Sequence, residues 1–144
     1  MLGLCKQASA NSNIFFMTHT MTKTQDFIIL ALYFLFIYGL SDQSSIPAPM
    51  WFEGQDKIYH AGAYFIMALL AWRVVRHLFD KPIIVCFASV VFCSIYGFSD
   101  EWHQSFVWGR DSDILDWVAD TSGATLAMLL LYQWNIRNKK KVTE

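Results

Sequence analysis

The residues able to do chemistry fall in three short segments. They are Asp56-Lys57-x-x-His60, then Asp100-Glu101-x-His103-Gln104, then Gly109-Arg110-x-x-Asp113-x-x-Asp116-x-x-x-Asp120. Asp56 and His60 stand at i and i+4, so one helical face carries both, with Tyr64 a turn further in. Asp113, Asp116 and Asp120 stand at i, i+3 and i+7 and line one stripe of a helix. With a rise of about 1.5 Å per residue, Asp120 lies roughly 10 Å deeper than Asp113. Asp100, His103 and Gln104 share a face if the helix before them continues; Glu101 then points elsewhere, toward Arg110.

Several chemistries are open to such a set. Asp113, Asp116 and Asp120, with Gln104 and water as further oxygen ligands, suit a hard divalent cation such as Mg²⁺ or Ca²⁺. The histidines bring a transition metal within range. Acid–base work without metal is equally open, with His60 or His103 carrying the proton. Arg110 offers a planar, permanently charged fork for a phosphate or carboxylate. The best catalytic set is Asp100, Glu101, His103 and Asp120, and the best ligand-binding set is Asp56, Lys57, His60, Gln104 and Arg110. Blander roles compete: a helix N-cap for Asp56, exposed ion pairs worth little around Asp100 to Asp113, and a single satisfied buried acid for Asp120. No spacing matches a zincin motif, a P-loop or a serine nucleophile elbow.

The elements that must position these residues are apolar. Hydrophobic residues make up 55% of the 144, and most sit in four runs, 27–40, 58–75, 82–98 and 114–134. A bilayer core of about 30 Å needs roughly 20 helical residues. The third and fourth runs approach this, and the second does so if its polar ends snorkel. The first has 14 apolar residues; it is read as a span with Thr24, Gln25 and Ser41 at the interface. Open sheet edges cannot face lipid, so the expected fold is all-α: a bundle of four transmembrane helices. Ala119, Gly123 and Ala127 form a small-residue face for a close helix contact, and Asp116 and Asp120 border it. The acids therefore point into the bundle, because a carboxylate at that depth needs protein, water or a cation rather than lipid. Replacing Asp120 with leucine is then expected to stabilise the fold by removing a desolvation cost.

Orientation follows from the basic residues. Lys6, Lys23, Arg73, Arg76, Lys81 and the run Arg137 to Lys141 fall on one side of a four-span layout. The other side is acid-rich, with Lys57 and Arg110 as its only Lys or Arg residues. The positive-inside rule puts both termini in the cytoplasm and the acidic cluster outside. Trp51, Phe52, Trp102, Trp108 and Trp117 are expected at the outer interface, and Trp72, Tyr132 and Trp134 at the inner one. Three cysteines, two of them seven apart on the third span, give no disulfide framework. The net charge of −1 says nothing about partners, and no basic stripe suggests nucleic acid, since the lysines gather at the C-terminus. The domain reading is a poorly structured cytoplasmic segment over 1–24, a four-helix domain over 25–135, and a basic cytoplasmic tail over 136–144. The Ile46-Pro47-Ala48-Pro49 segment reads as a stiff, extended loop.

The combined motifs resemble those of the VanZ-like membrane proteins. That family has Asp-Lys-x-x-His opening a span, here Asp56 to His60. It has a later Asp-Glu-x-x-Gln-x-Phe-x-x-Gly-Arg, here Asp100 to Arg110, and then acids entering a glycine-containing span, here Asp113, Asp116, Asp120 and Gly123. The family often has asparagine where this chain has Asp120. The resemblance implies a four-helix protein of the bacterial cytoplasmic membrane, and its name-giving member is tied to low-level teicoplanin resistance. On these grounds the chain is expected to bind a cell-wall precursor or other lipid-linked envelope ligand at its outer site. A membrane hydrolase or transferase, with or without a divalent cation, is the alternative, and a small transporter the third.

Overall fold

The computed structural model describes residues 22–44 and 51–143, and side chains as far as 138. It contains four helices and no strand among these residues: α1 Lys23–Ser41, α2 Gln55–Val75, α3 Pro82–Gln104 and α4 Ile114–Thr143. All four are long and apolar enough to cross a membrane, α4 over Ile114–Asn138. The chain is therefore a multi-pass membrane protein. The expected loop at Ile46 to Pro49, Cys5 and most of the 1–24 segment lie outside the described residues.

Each helix extends beyond its apolar run because local chemistry closes its end. Thr22 and Gln25 form a reciprocal capping box that starts α1 ahead of the hydrophobic stretch. Pro82 sits in the first turn of α3, where a missing N–H costs nothing. The last turn of α3 carries the polar run as far as Gln104, so the chemistry-bearing residues are helical rather than looped.

The bundle packs around α2 and α4. Met67, Ala68 and Ala71 meet Ala124, Ala127 and Met128 at positions with almost no exposure. The anticipated small-residue contact is present. A Cβ at Gly123 would run into the backbone carbonyl of Ala61, so only glycine lets these two helices approach this closely. Hydroxyl and indole groups add cross-links in a setting that lacks water. Tyr33 donates to the Ala63 carbonyl (2.9 Å), Tyr96 to Phe34 (3.0 Å) and Trp117 to Ser94 (3.0 Å). Large apolar side chains such as Phe27, Leu35, Phe87, Ile95 and Leu129 point outward, as a lipid-facing surface requires.

One expectation about the core changes. Trp72 is buried inside the bundle rather than standing at an interface, with the Arg76 guanidinium over its ring. Cys86 and Cys93 of α3 are both buried in the protein core, and both thiols are free.

Candidate functional site

The end of the bundle where α1 and α3 finish and α2 and α4 begin gathers the three polar segments. It is called the acidic end here. On α4, Asp116 and Asp120 are buried, and Asp120 has no exposed surface. Its Oδ1 lies 3.0 Å from His60 Nδ1 on α2. The close approach at Gly123 sets this distance, since it brings α2 against α4 just below the pair. On the other side, Gly97 of α3 makes room for the carboxylate: a Cβ there would stand 2.9 Å from Asp120 Oδ2.

Lys57 ties a second layer together nearer the membrane surface. Its Nζ reaches Asp56 (2.9 Å), Asp113 (2.6 Å) and Asp116 (2.7 Å). Asp113 precedes α4 in the loop, and the Lys57 ammonium beside it holds its carboxyl below the usual carboxylate range. Asp113 also accepts from the Leu115 N–H, so it opens α4 electrostatically.

From α3, Asp100, Glu101 and Gln104 turn inward and are buried. Gln104 donates to Asp100 at 3.2 Å. Glu101 does not reach toward Arg110. Its carboxylate accepts from the Asp113 N–H at 2.9 Å and lies close to the His60–Asp120 pair. The reason is the loop's return, which brings the start of α4 over the last turn of α3. His103 faces the opposite way. It stacks on Tyr38 (centroids 4.7 Å apart) and lies 3.3 Å from Asp42, on the α1 side. Arg110 donates to the Leu40 carbonyl at 3.2 Å, closing the loop over the end of α1.

A cavity of about 310 Å³ opens between α1, α2 and α3 at this end. Its lining combines apolar Ile37, Leu40 and Ala63 with polar Asp56, His60, Tyr64, Asp100, Gln104 and Arg110. Among the described residues, the Arg110 Nε and the Tyr64 hydroxyl are buried without a hydrogen-bond partner. Buried donors of this kind call for an acceptor.

The acidic residues that converge here include one of the stripe read from the sequence, Asp120. One ligand atom each from His60, Glu101 and Asp120 lie within 4.8 Å of one another. Asp113 and Asp116 are instead held by Lys57. One imidazole with two carboxylates suits a divalent cation that accepts mixed nitrogen and oxygen ligands, and Asp120 Oδ2 is itself buried without a partner.

The sequence reading missed a polar cluster at the other, basic end. Asp26 of α1, 2% exposed, is met by Arg73 Nε (2.8 Å), His77 Nε2 (2.9 Å) and Arg76 Nη2 (3.4 Å). Arg73 and Arg76 had served only as markers of orientation. The available signal was an aspartate opening an apolar run, with Arg73, Arg76 and His77 sharing a helical face.

Comparison with known proteins agrees with this architecture. The model of the family described as VanZ/LLP1 matches residues 8–136, most of the chain. The chain belongs to that family. No curated protein and no solved structure matches it.

Proposed function

We propose that the acidic end faces outward and binds a lipid-linked or cell-envelope ligand, in a bacterial cytoplasmic membrane with both termini inside. The observation that carries this reading is the mixed lining of the cavity. Ile37, Leu40 and Ala63 suit a hydrocarbon tail, and the polar lining suits a head group that brings an anion to Arg110 and hydroxyl, amide or amine donors to Asp56 and Asp100. The orphaned Arg110 Nε supports an anionic partner, since a guanidinium fork pairs with phosphate or carboxylate. A lipid-linked cell-wall saccharide or peptide combines these features, and the tie to glycopeptide resistance belongs to the same proposal.

Binding of a polyprenyl-diphosphate-linked saccharide–peptide to the full chain in nanodiscs tests this. Wild type is expected to bind, and Arg110→Gln to lose roughly tenfold in affinity. Equal binding by both, or none by wild type, would reject the reading.

A second reading rests on the packing of His60, Glu101 and Asp120. With a divalent cation there, the site would be that of a hydrolase or transferase acting on a lipid-linked phosphate, the cation polarising the phosphoryl oxygen. His60 and the two carboxylates would hold the ion while Arg110 orients the anion. Thermal unfolding with added Mg²⁺, Mn²⁺ or Zn²⁺ checks it: a rise that vanishes in Asp120→Asn supports the metal site, and no rise with any ion removes it.

A further inference from the structure

The Tyr64 hydroxyl plays no part in the contacts assigned so far. Tyr64 is 1% exposed, it lines the acidic-end cavity, and its Oη has no hydrogen-bond partner among the described residues. Phenylalanine would fill the same space without leaving a buried polar atom unpaired, which is costly. The oxygen therefore calls for a partner that the protein does not supply. Tyr64 stands eight residues beyond Asp56 on α2, roughly 12 Å further into the bundle. Side chains lean toward the N-terminus of their helix, so its ring is directed back toward the acidic end.

Gly97 brings α3 against this ring: a Cβ there would stand 3.3 Å from Tyr64 Cε1 and 2.9 Å from Asp120 Oδ2. Asp100, one turn nearer the acidic end on the same side of α3, also lines the cavity and is 5% exposed. Its Oδ2 accepts from Gln104 at 3.2 Å, and a carboxylate has further acceptor sites. This part of the cavity thus sets an unpartnered hydroxyl donor beside carboxylate acceptors. A ligand anion here would face Asp100 and Asp120, and like charges repel. A carbonyl only accepts and an ammonium only donates, whereas a hydroxyl does both through one oxygen. The anion belongs at Arg110, in the loop between α3 and α4.

We infer that Tyr64 is a specificity-determining residue for a phosphate-linked sugar: its hydroxyl donates to a ring hydroxyl, and that ring hydroxyl donates in turn to Asp100, while the sugar's phosphate lies at Arg110. The inference rests on the binding role proposed for the acidic end and names the part of the ligand that enters. A cavity of about 310 Å³ is at the small end of ligand sites, so one monosaccharide unit enters and the rest of a larger head group stays outside. A ring holds its hydroxyls at fixed distances from the phosphate-bearing carbon, so little is lost in ordering them. Ile37, Leu40 and Ala63 remain for the first carbons of the lipid tail.

The test uses the full chain in phosphatidylcholine nanodiscs and three polyprenyl phosphodiesters of equal tail and charge, esterified to a hexose, to glycerol or to methanol. Wild type is expected to bind the hexose ester roughly tenfold more tightly than the methyl ester, with the glycerol ester weaker than the hexose ester. Tyr64→Phe is expected to lose that preference and to bind the methyl ester as wild type does. Arg110→Gln is expected to weaken all three alike. Without ligand, Tyr64→Phe should melt no lower than wild type, because the hydroxyl it removes has no partner. A lower melting temperature would assign the hydroxyl to the fold and overturn the inference. Equal binding of the hexose and methyl esters by wild type, or an unchanged preference in Tyr64→Phe, would overturn it and leave the binding role standing. Glycerol and hexose esters bound equally would keep the hydroxyl contact and overturn the sugar as its source. No binding of any ester by wild type would overturn the binding role itself, and the inference with it.

Discussion

The two ends of the bundle are charge inverses built with different tools. At the acidic end, Lys57 and His60 stand among Asp56, Glu101, Asp113, Asp116 and Asp120. At the basic end, Asp26 stands among Arg73, Arg76 and His77. The acidic end depends on backbone proximity. Glycines at 97 and 123 let three helices close around Asp120, where His60 meets one of its oxygens. The basic end depends on reach, since the long side chains of Arg73 and Arg76 cross to Asp26 on α1. The His60–Asp120 pair is thus set by backbone proximity, whereas long side chains reach their counter-ions at both ends, Lys57 at one and Arg73 at the other.

Changes that respect or violate this distinction should separate the two ends. The largest effect is expected for Gly123→Ala, because the added methyl meets the Ala61 backbone, which cannot yield as a side chain can. We expect a loss of about 3 kcal/mol or more, seen as a collapse of the melting transition. A near-neutral result would break the argument that backbone proximity builds the acidic end.

Asp26→Asn comes next. It leaves two guanidiniums around a neutral amide, at a cost of about 2 to 3 kcal/mol once the partial exposure of Arg73 and His77 is allowed for. Thermal unfolding should record this, while ligand affinity at the acidic end stays within twofold of wild type. A matching loss of affinity would mean that the ends are coupled.

Asp120→Asn keeps the shape and removes the charge beside His60. About 1 to 2 kcal/mol of stability is expected to go, the worth of a charge-assisted hydrogen bond. Asp120→Leu is a harsher change than charge alone suggests, because the Gly97 backbone and Tyr64 already crowd the site. It should melt lower than Asp120→Asn; a higher melting temperature would restore desolvation as the dominant cost.

The smallest effect concerns pH. The Asp113 carboxyl titrates below its ordinary value of 3.8, so the Lys57–Asp113 pair adds stability that is full above that value. That contribution is lost as the pH falls through the lower folded value. Asp113→Asn should therefore lower stability slightly at neutral pH and flatten the acid limb, the two proteins converging at low pH, as melting against pH would record.

Much of this was legible in the chain because hydropathy and spacing are local. The apolar runs define four spans, and Ala119, Gly123 and Ala127 announce a close contact; of the acids read as one helical stripe, Asp116 and Asp120 are on α4 while Asp113 stands in the loop just before it. The inward turn of Glu101 was not legible. It follows from the loop that lays the Asp113 N–H over the end of α3, a relation set by tertiary path. Nor did spacing reveal that Lys57 would occupy Asp113 and Asp116 and leave His60, Glu101 and Asp120 as the compact donor set.

By itself, then, the amino-acid sequence determined an all-helical membrane protein with its acids turned inward, because lipid tolerates neither open backbone nor unpaired charge. Tertiary structure alone decided which charges meet. Asp26 and Arg73 are separated by 47 positions, and His60 and Asp120 by 60. No local rule pairs residues so far apart; the crossing of packed helices does.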